Sequence, residues 1–272
     1  MPNYYVFHQN LRVFAGTNAR RNTAFEDAMD TISTDIGSDR VLVAGFTEVM
    51  NNQNTRTPLR RIAQELDAAL RTPILFATGT TAVGNQTEWV GISTHTNFTV
   101  QISGKVLKQT NNTWQAYPVT PQLPADQMPP GNFAADVRGL AYVGGTIGNQ
   151  RLLFGFIHNN YTLGEPSTIY RALPQMVTAI GQAHQGWDQV TRYLGGDFNI
   201  RPDDIGVGYR AVYATDEDMG EIKTTWYHTY DYWITNNGNI DTGQAEVFTA
   251  SRWENDPDLS DHAGVGLQIL ST

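Results

Sequence analysis

Hydrophobic and polar positions along the chain follow two repeats, one typical of strands and one typical of helices. Strands are expected where short runs are solidly apolar or alternate between apolar and polar residues. Such runs cover residues 4–14, 41–46, 74–77, 88–93, 99–106, 139–144, 152–158, 192–195, 232–235, 246–250 and 264–270.

Helices are predicted over residues 22–36, 57–70 and 167–183, where apolar residues recur every three or four positions. The third is the clearest: Ile169, Leu173 and Met176 share one face, and Ser167 is a plausible N-cap. The proline-rich stretch 108–132 is interpreted as a long irregular loop. Because no linker divides the chain, a single domain over residues 1–272 is expected. Many strands with few helices predict a layered α/β protein with mixed sheets.

Composition narrows the function classes. The 272 residues include no cysteine, which excludes disulfides, thiolate zinc sites, iron–sulfur clusters and a cysteine nucleophile. No run approaches the roughly 18 apolar residues of a membrane span, so none is expected. Both a cytoplasmic protein and a secreted one whose leader has been removed fit this sequence. The formal charge of −9, taken alone, argues against a nucleic-acid binder of the ordinary basic kind.

The strongest chemical motif is Gly195-Gly196-Asp197-Phe198-Asn199, which follows an apolar strand expected to end at Leu194. Glycines just past a strand permit a tight turn that brings polar groups to the sheet edge. Asp197 and Asn199 can then point into one pocket, where the amide can donate to a phosphate oxygen. The alternative is a simple Asx-rich turn.

A second motif, Ser260-Asp261-His262, precedes the last predicted strand and offers a metal ligand beside a general base. Its alternative is a solvated loop pair. Further polar residues lie at the ends of strands: Glu48 suits a hard divalent cation, and Asp231 could orient a histidine ring. The remaining two candidates are His158, for which a core histidine is the alternative, and Asn10.

Taken in chain order, these segments resemble the metal-dependent endonuclease/exonuclease/phosphatase superfamily, which has the DNase I-like fold. The resemblance covers essentially the whole chain, and its specific parts are residues 196–199 and 260–262. The run from Asp197 to Asn199, followed by Pro202-Asp203-Asp204, and the pair Asp231-Tyr232 look more like the nuclease subunit of cytolethal distending toxins than like abasic-site endonucleases. The histidine at position 158 is similar to DNase I-like members. The implied fold is a four-layer α/β sandwich, with two packed mixed β-sheets flanked by helices. The chain departs from the family pattern at Thr47 and Ala263.

The resemblance implies a magnesium site in which Glu48 is the principal ligand, assisted by Asn10 and Asp261. Manganese is the alternative ion. The residue types agree with this, because carboxylate oxygens suit these cations. Glu48, Asp197, Asp231 and Asp261 would also repel one another strongly if they converged without a cation.

The resemblance also implies catalytic roles. His262, held by Asp231, would take the proton from the attacking water. His158, oriented by Glu88, would stabilise or protonate the leaving oxygen. Asp197 and Asn199 would position water and bind the phosphate, which Arg138 would also contact.

The expected function is therefore a metal-dependent phosphodiester hydrolase, with DNA as the first candidate substrate. Two alternatives remain open: a phosphatase or phosphodiesterase acting on a phosphoinositide, sphingolipid or nucleotide, and a catalytically silent binding module. A monomer with no protein partner is expected. The candidate groove residues are Arg138, Arg201, Arg210, Arg252, Trp226, Tyr227, Trp233 and Trp253.

Overall fold

A computed structural model describes residues 3–50, 54–80, 87–134, 137–159, 168–202, 210–216, 220–221, 223–225, 228–240 and 244–269. Two mixed β-sheets face each other within this part of the chain. The first sheet has the strand order β14-β15-β1-β2-β4-β3. Its strands are β1 (Tyr4–Phe14), β2 (Arg40–Met50), β3 (Ile74–Thr80), β4 (Thr87–Thr94), β14 (Ala245–Phe248) and β15 (Gly264–Ile269).

The second sheet has the order β10-β13-β9-β8-β7-β5-β6. Its strands are β5 (Thr99–Lys108), β6 (Trp114–Pro118), β7 (Leu140–Ile147), β8 (Gln150–His158), β9 (Thr191–Asp197), β10 (Arg210–Val212) and β13 (Asp231–Thr235). Strands β11 (Thr215–Asp216) and β12 (Gly220–Glu221) form a small separate pair. Each of the two large sheets contains one parallel strand pair, β1 with β2 in the first and β8 with β9 in the second. Their other strand pairs are antiparallel.

Three helices cover the outer faces of the sheets: α1 (Ala19–Ile36), α2 (Arg56–Leu66) and α3 (Thr168–Ala183). Helix α1 packs Phe25 edge-on against Phe14 of the first sheet, and Met29 belongs to the same apolar cluster. On the other side, Leu173 of α3 and Leu194 of the second sheet belong to one apolar cluster. A third apolar cluster fills the space between the sheets. The order helix, sheet, sheet, helix confirms the predicted four-layer sandwich.

Every predicted strand overlaps an observed one, and the predicted helices are also present. Several details differ, of which three bear on the site or on the layers. The segment 108–132 contains the strand β6, α2 ends at Leu66 rather than at residue 70, and β9 continues past Leu194 to Asp197. Gly195 and Gly196 therefore lie within a strand and do not form a turn after it. The proposed N-cap Ser167 lies outside the described residues.

None of the helices in the described segments has both the length and the apolar character required to cross a membrane.

Candidate active site

The strongest candidate residues meet at one end of the space between the two sheets. In the second sheet, His158 pairs in register with Asp197, and Asp197 pairs with Asp231. Phe154 and Phe156 of β8 face the space between the sheets. Because side chains alternate along a strand, His158 falls on that same inner face.

Asp197 lies at the centre of this cluster and is 2% exposed. Its Oδ2 atom is 3.1 Å from Nδ2 of Asn10 and 3.7 Å from Nε2 of both His158 and His262. Its Oδ1 atom accepts a hydrogen bond from the Asn199 backbone N–H. Burial raises the pKa of Asp197, although the two histidines oppose this effect.

On one side of Asp197, His158 is held by a buried carboxylate. Its Nδ1 atom is 2.8 Å from Oε1 of Glu88, and Nε of Arg138 is 2.8 Å from the other oxygen of Glu88. The Nε2 atom of His158 also lies 3.5 Å from Oε1 of Glu48. Burial lowers the pKa of His158, but Glu88 and Glu48 outweigh it, so the pKa is raised and the protonated ring is favoured.

On the other side of Asp197, Nδ1 of His262 is 2.6 Å from Oδ2 of Asp231. The same oxygen accepts a hydrogen bond from Oγ1 of Thr224 at 3.0 Å. Burial acts to lower the pKa of His262, but Asp231 and Asp197 raise it to about 10. In the absence of bound cations, this ring is an imidazolium at neutral pH.

Glu48 completes the cluster from the first sheet. Its two carboxylate oxygens accept hydrogen bonds from Nδ2 of Asn10 at 3.1 Å and from the Val13 backbone N–H at 3.0 Å. Glu48 lies inside β2, where the ladders to both neighbouring strands are irregular, and not beyond its end. Its φ of +53° is unusual for a residue with a side chain, as are the values of Arg12, Val13 and Asn199. Such backbone strain concentrates at functional sites.

The donor atoms fit a divalent cation. Glu48, His158 and Asp197 each offer a ligand atom, and these atoms lie within 4.8 Å of one another. Asp197, Asp231 and His262 form a second group of this kind. The carboxylate oxygens suit magnesium or manganese, and burial of several acids together favours a compensating cation.

Comparison with solved structures identifies the fold. A protein named as an endonuclease/exonuclease/phosphatase family member, from Leptotrichia buccalis C-1013-b, matches with a TM-score of 0.59 and 12% identity, covering 98% of this chain and 100% of that one. Truncated TDP2 from Caenorhabditis elegans matches with a TM-score of 0.58 and 13% identity, covering 98% of both chains. The human Nocturnin catalytic domain with bound sulfate anion matches with a TM-score of 0.57 and 14% identity, covering 98% and 93%.

The chain has the DNase I-like fold. The resemblance inferred from the sequence motifs is thereby confirmed at the level of the fold. No family model and no curated protein matches the sequence.

The DNase I-like fold brings most of the candidates together, but it places Asp261 and Asn199 differently from expectation. Asp261 is half exposed, and its carboxylate lies 3.8 Å from Nε of Arg12. It is not among the clustered ligand atoms of the described residues. The side-chain nitrogen of Asn199 donates to the carbonyl of Asn159 at 2.7 Å, while its backbone N–H binds Asp197. In this structure, the amide nitrogen of Asn199 is therefore used to connect residue 199 to residue 159.

Gly196 allows the two strands that carry His158 and Asp197 to lie side by side. Its φ is +154°, and a Cβ atom there would lie 1.9 Å from the carbonyl oxygen of Ile157. A larger residue would push β9 away from β8. The glycine of the motif therefore serves close strand packing next to the site.

Sequence reasoning missed three residues that line the Asp231 side of the site: His8, Thr47 and Thr224. All are fully buried. His8 is 3.6 Å from Asp231, Thr47 is 3.0 Å from His8, and Thr224 donates to Asp231. The one sequence signal for His8 is its place two positions before Asn10. Strand alternation puts both side chains on the same face of β1.

Proposed function

We propose that this protein is a divalent-metal-dependent phosphodiester hydrolase and that DNA is its substrate. One observation carries the proposal: two histidines, each backed by its own carboxylate, approach the same oxygen of Asp197 from two directions. Nδ1 of His158 faces Glu88, and Nδ1 of His262 faces Asp231. The two Nε2 atoms therefore both face Asp197, where a substrate phosphate would lie, and Nε2 of His158 also lies 3.3 Å from NH1 of Arg138. Such an arrangement supplies an acid and a base on either side of one phosphate.

Glu48 would hold the cation, with Asp197 beside it, and the Asn10 amide nitrogen would hold both carboxylates in place. Asp261, the further ligand that the family resemblance suggests, faces Arg12 in this structure. A divalent ion there would neutralise the charge that develops on the phosphoryl oxygens. Magnesium is proposed first and manganese second, because carboxylate oxygens suit both ions.

His262 is the proposed general base. Its Nε2 atom would accept a proton from the attacking water as the new phosphorus–oxygen bond forms, and Asp231 would stabilise the imidazolium through Nδ1. The raised pKa means that His262 must first lose its resting proton. Positive charge close to Asp197 and Asp231 favours that loss, because both carboxylates otherwise stabilise the protonated ring.

His158 is the proposed general acid. Its Nε2 proton would pass to the leaving oxygen as the old phosphorus–oxygen bond breaks. The raised pKa favours the protonated ring, and Glu88 stabilises its charge. Arg138, with its NH1 nitrogen 3.3 Å from Nε2 of His158, is placed to contact a phosphate oxygen at the same point.

A surface beside the cluster supports a nucleic-acid substrate. The guanidinium of Arg201 lies 2.9 Å from Nδ1 of His228, and the rings of His228 and Tyr230 are 5.0 Å apart. The Phe198 N–H donates to the Tyr230 carbonyl, which holds this surface next to Asp197. An exposed arginine beside aromatic rings suits a phosphate joined to a stacked base.

Several of the other arginine and aromatic residues that were predicted to line a groove lie elsewhere. Trp233 is 1% exposed and packs between the sheets, so it belongs to the core. Arg252 forms an ion pair with Glu254. Arg210 lies on the edge strand β10, paired with Thr235 at the opposite end of β13 from Asp231. Trp226 and Tyr227 lie outside the described residues.

A substrate panel tests the proposal. Supercoiled plasmid, a phosphoinositide and sphingomyelin are each incubated with the protein in magnesium, in manganese and in excess EDTA. Plasmid nicking that requires the metal and is abolished in His262→Ala supports a nuclease. Release of phosphate or phosphocholine with intact plasmid would replace DNA with a small phosphoester. Silence on all substrates, with no magnesium-dependent rise in melting temperature, would indicate a binding module.

A further inference from the structure

His8 is a buried polar residue in a position where an apolar side chain would be expected. It lies on β1 between Val6 and Asn10, and its side chain is fully buried. Its neighbour across the parallel pair is Gly45, where a Cβ atom would lie 2.0 Å from the Phe156 ring. The imidazole stacks on Phe156, with ring centroids 6.4 Å apart. Burying an imidazole in such surroundings is costly unless its nitrogens are hydrogen-bonded.

One nitrogen of His8 has a partner and the other faces the catalytic cluster. Nε2 lies 3.0 Å from Oγ1 of Thr47. Nδ1 lies 3.6 Å from Oδ1 of Asp231. Neither Nδ1 of His8 nor Oδ1 of Asp231 has a hydrogen-bond partner among the described residues. Two buried polar atoms without partners thus point at each other, and a small rotation of either side chain would bring them within hydrogen-bond distance.

The other oxygen of Asp231 is already committed. Oδ2 accepts from Thr224 and faces Nδ1 of His262 at 2.6 Å. Without support on Oδ1, the carboxylate could rotate and carry Oδ2 away from His262. A donor opposite Oδ1 would fix the carboxylate plane.

We propose that His8 is a positioning residue for the Asp231–His262 pair. Its neutral ring carries the proton on Nδ1, directed at Oδ1 of Asp231, while Nε2 accepts a hydrogen bond from the hydroxyl of Thr47. A buried line of side chains, Thr47, His8, Asp231 and His262, then runs from the first sheet through the second to the proposed base. The catalytic consequence rests on the proposed function.

Three variants of His8 test the role. His8→Asn keeps a donor nitrogen near the position of Nδ1, His8→Gln moves it toward Nε2, and His8→Leu removes it. We expect Asn to retain kcat within about 3-fold, whereas Gln and Leu lose about 10- to 100-fold in kcat with KM little changed. If kcat falls equally in Asn and Gln, or stays at the wild-type level in all three, the positioning role is wrong.

His95 provides a matched control. It is also a buried histidine, and its Nδ1 accepts from the Asn97 backbone N–H at 2.9 Å, away from the cluster. His95→Asn should lower the melting temperature and leave kcat unchanged. A comparable loss of kcat in this variant would mean that the His8 effect reflects general destabilisation.

A spectroscopic measurement tests the bond without any substrate. The chain has six histidines, and in nitrogen-15-labelled protein the His8 ring signals are those absent from the His8→Asn spectrum. We expect the proton on Nδ1 and a bare Nε2. A proton on Nε2 would overturn the proposal. If the wild-type protein hydrolyses no phosphodiester, the proposed function fails, while this measurement still decides the His8–Asp231 bond.

Discussion

The Nε2 atoms of His158 and His262 lie at the same distance, 3.7 Å, from one oxygen of Asp197. The two rings come from different sheets. His158 ends β8 of the second sheet, and His262 precedes β15 of the first. Each is oriented by a separate carboxylate on its Nδ1 atom. Both rings therefore reach the same small region. Substituting each histidine separately can distinguish the proposed acid from the proposed base.

The choice of leaving group should separate the acid from the base. His262→Ala and His158→Ala should each lower kcat on DNA by about 10²- to 10⁴-fold. On bis(4-nitrophenyl) phosphate, whose leaving group needs no protonation, His158→Ala should recover most of its loss and His262→Ala should not. Steady-state kinetics on both substrates provide the measurement. Equal recovery in the two variants would contradict the assigned roles.

Asp231→Asn should preserve the fold and lower kcat by about 10²- to 10⁴-fold with a small effect on KM. The amide can donate to Nδ1 of His262, which favours the wrong tautomer and no longer stabilises the imidazolium. Asp188→Asn, in the segment between α3 and β9, is the control and should behave as wild type. A change in KM alone would point to substrate binding instead.

The stability of the metal-free protein should depend on pH through His262. Its pKa is raised from 6.5 to about 10 on folding, so its contribution is complete below pH 6.5 and is lost as the pH rises through about 10. The difference in unfolding free energy between wild type and His262→Gln should therefore be largest near pH 6 and shrink toward pH 10.

Urea unfolding in EDTA measures this difference. Lys105 contributes an opposite trend, because burial lowers its pKa from 10.5 to about 8. Both proteins share Lys105, so its effect cancels in the comparison. A difference that stays constant from about pH 6 to pH 10 would show that His262 is not held as an imidazolium.

Gly196→Ala should lower the free energy of unfolding by about 3 kcal/mol or more, because the methyl group would meet the Ile157 carbonyl. Gly37→Ala is the matched control: Gly37 also has a positive φ, but a Cβ there has nothing within 4 Å. It should cost only the backbone strain, on the order of 1–3 kcal/mol, and less than Gly196→Ala. Equal losses in the two variants would show that backbone conformation, and not strand contact, makes Gly196 necessary.

Local patterns predicted much of the fold. The alternation of Phe154 and Phe156 with Leu153 and Ile157 defines β8 and its two faces. One of the missed strands, β6, is a short edge strand within a proline-rich stretch, where neither alternation nor a buried run marks it. The predicted second helix ran too far because apolar spacing continues to Leu70. The Asp67 side chain accepts the Val41 and Ala69 backbone N–H groups instead.

A site residue could be predicted from sequence only where residues near it in the chain indicate its role. Asp197 follows a glycine pair and was identified. His8 was not, because its partner Asp231 is remote in sequence and a histidine within an apolar strand resembles a core residue. Adjacency also misled: Asp261 precedes His262, yet its side chain faces Arg12 while the imidazole faces Asp197. Neighbours in a chain need not share a pocket.

The most direct test of the central claim is DNA cleavage in water labelled with the heavy oxygen isotope, analysed by mass spectrometry of the new terminal phosphate. With magnesium, the wild-type protein should place one labelled oxygen on each new phosphate. EDTA-treated protein should produce no labelled ends, and His262→Ala should produce them about 10²- to 10⁴-fold more slowly. Cleavage that persists in EDTA, is undiminished in His262→Ala or yields unlabelled phosphate would contradict hydrolysis by a water activated at this cluster.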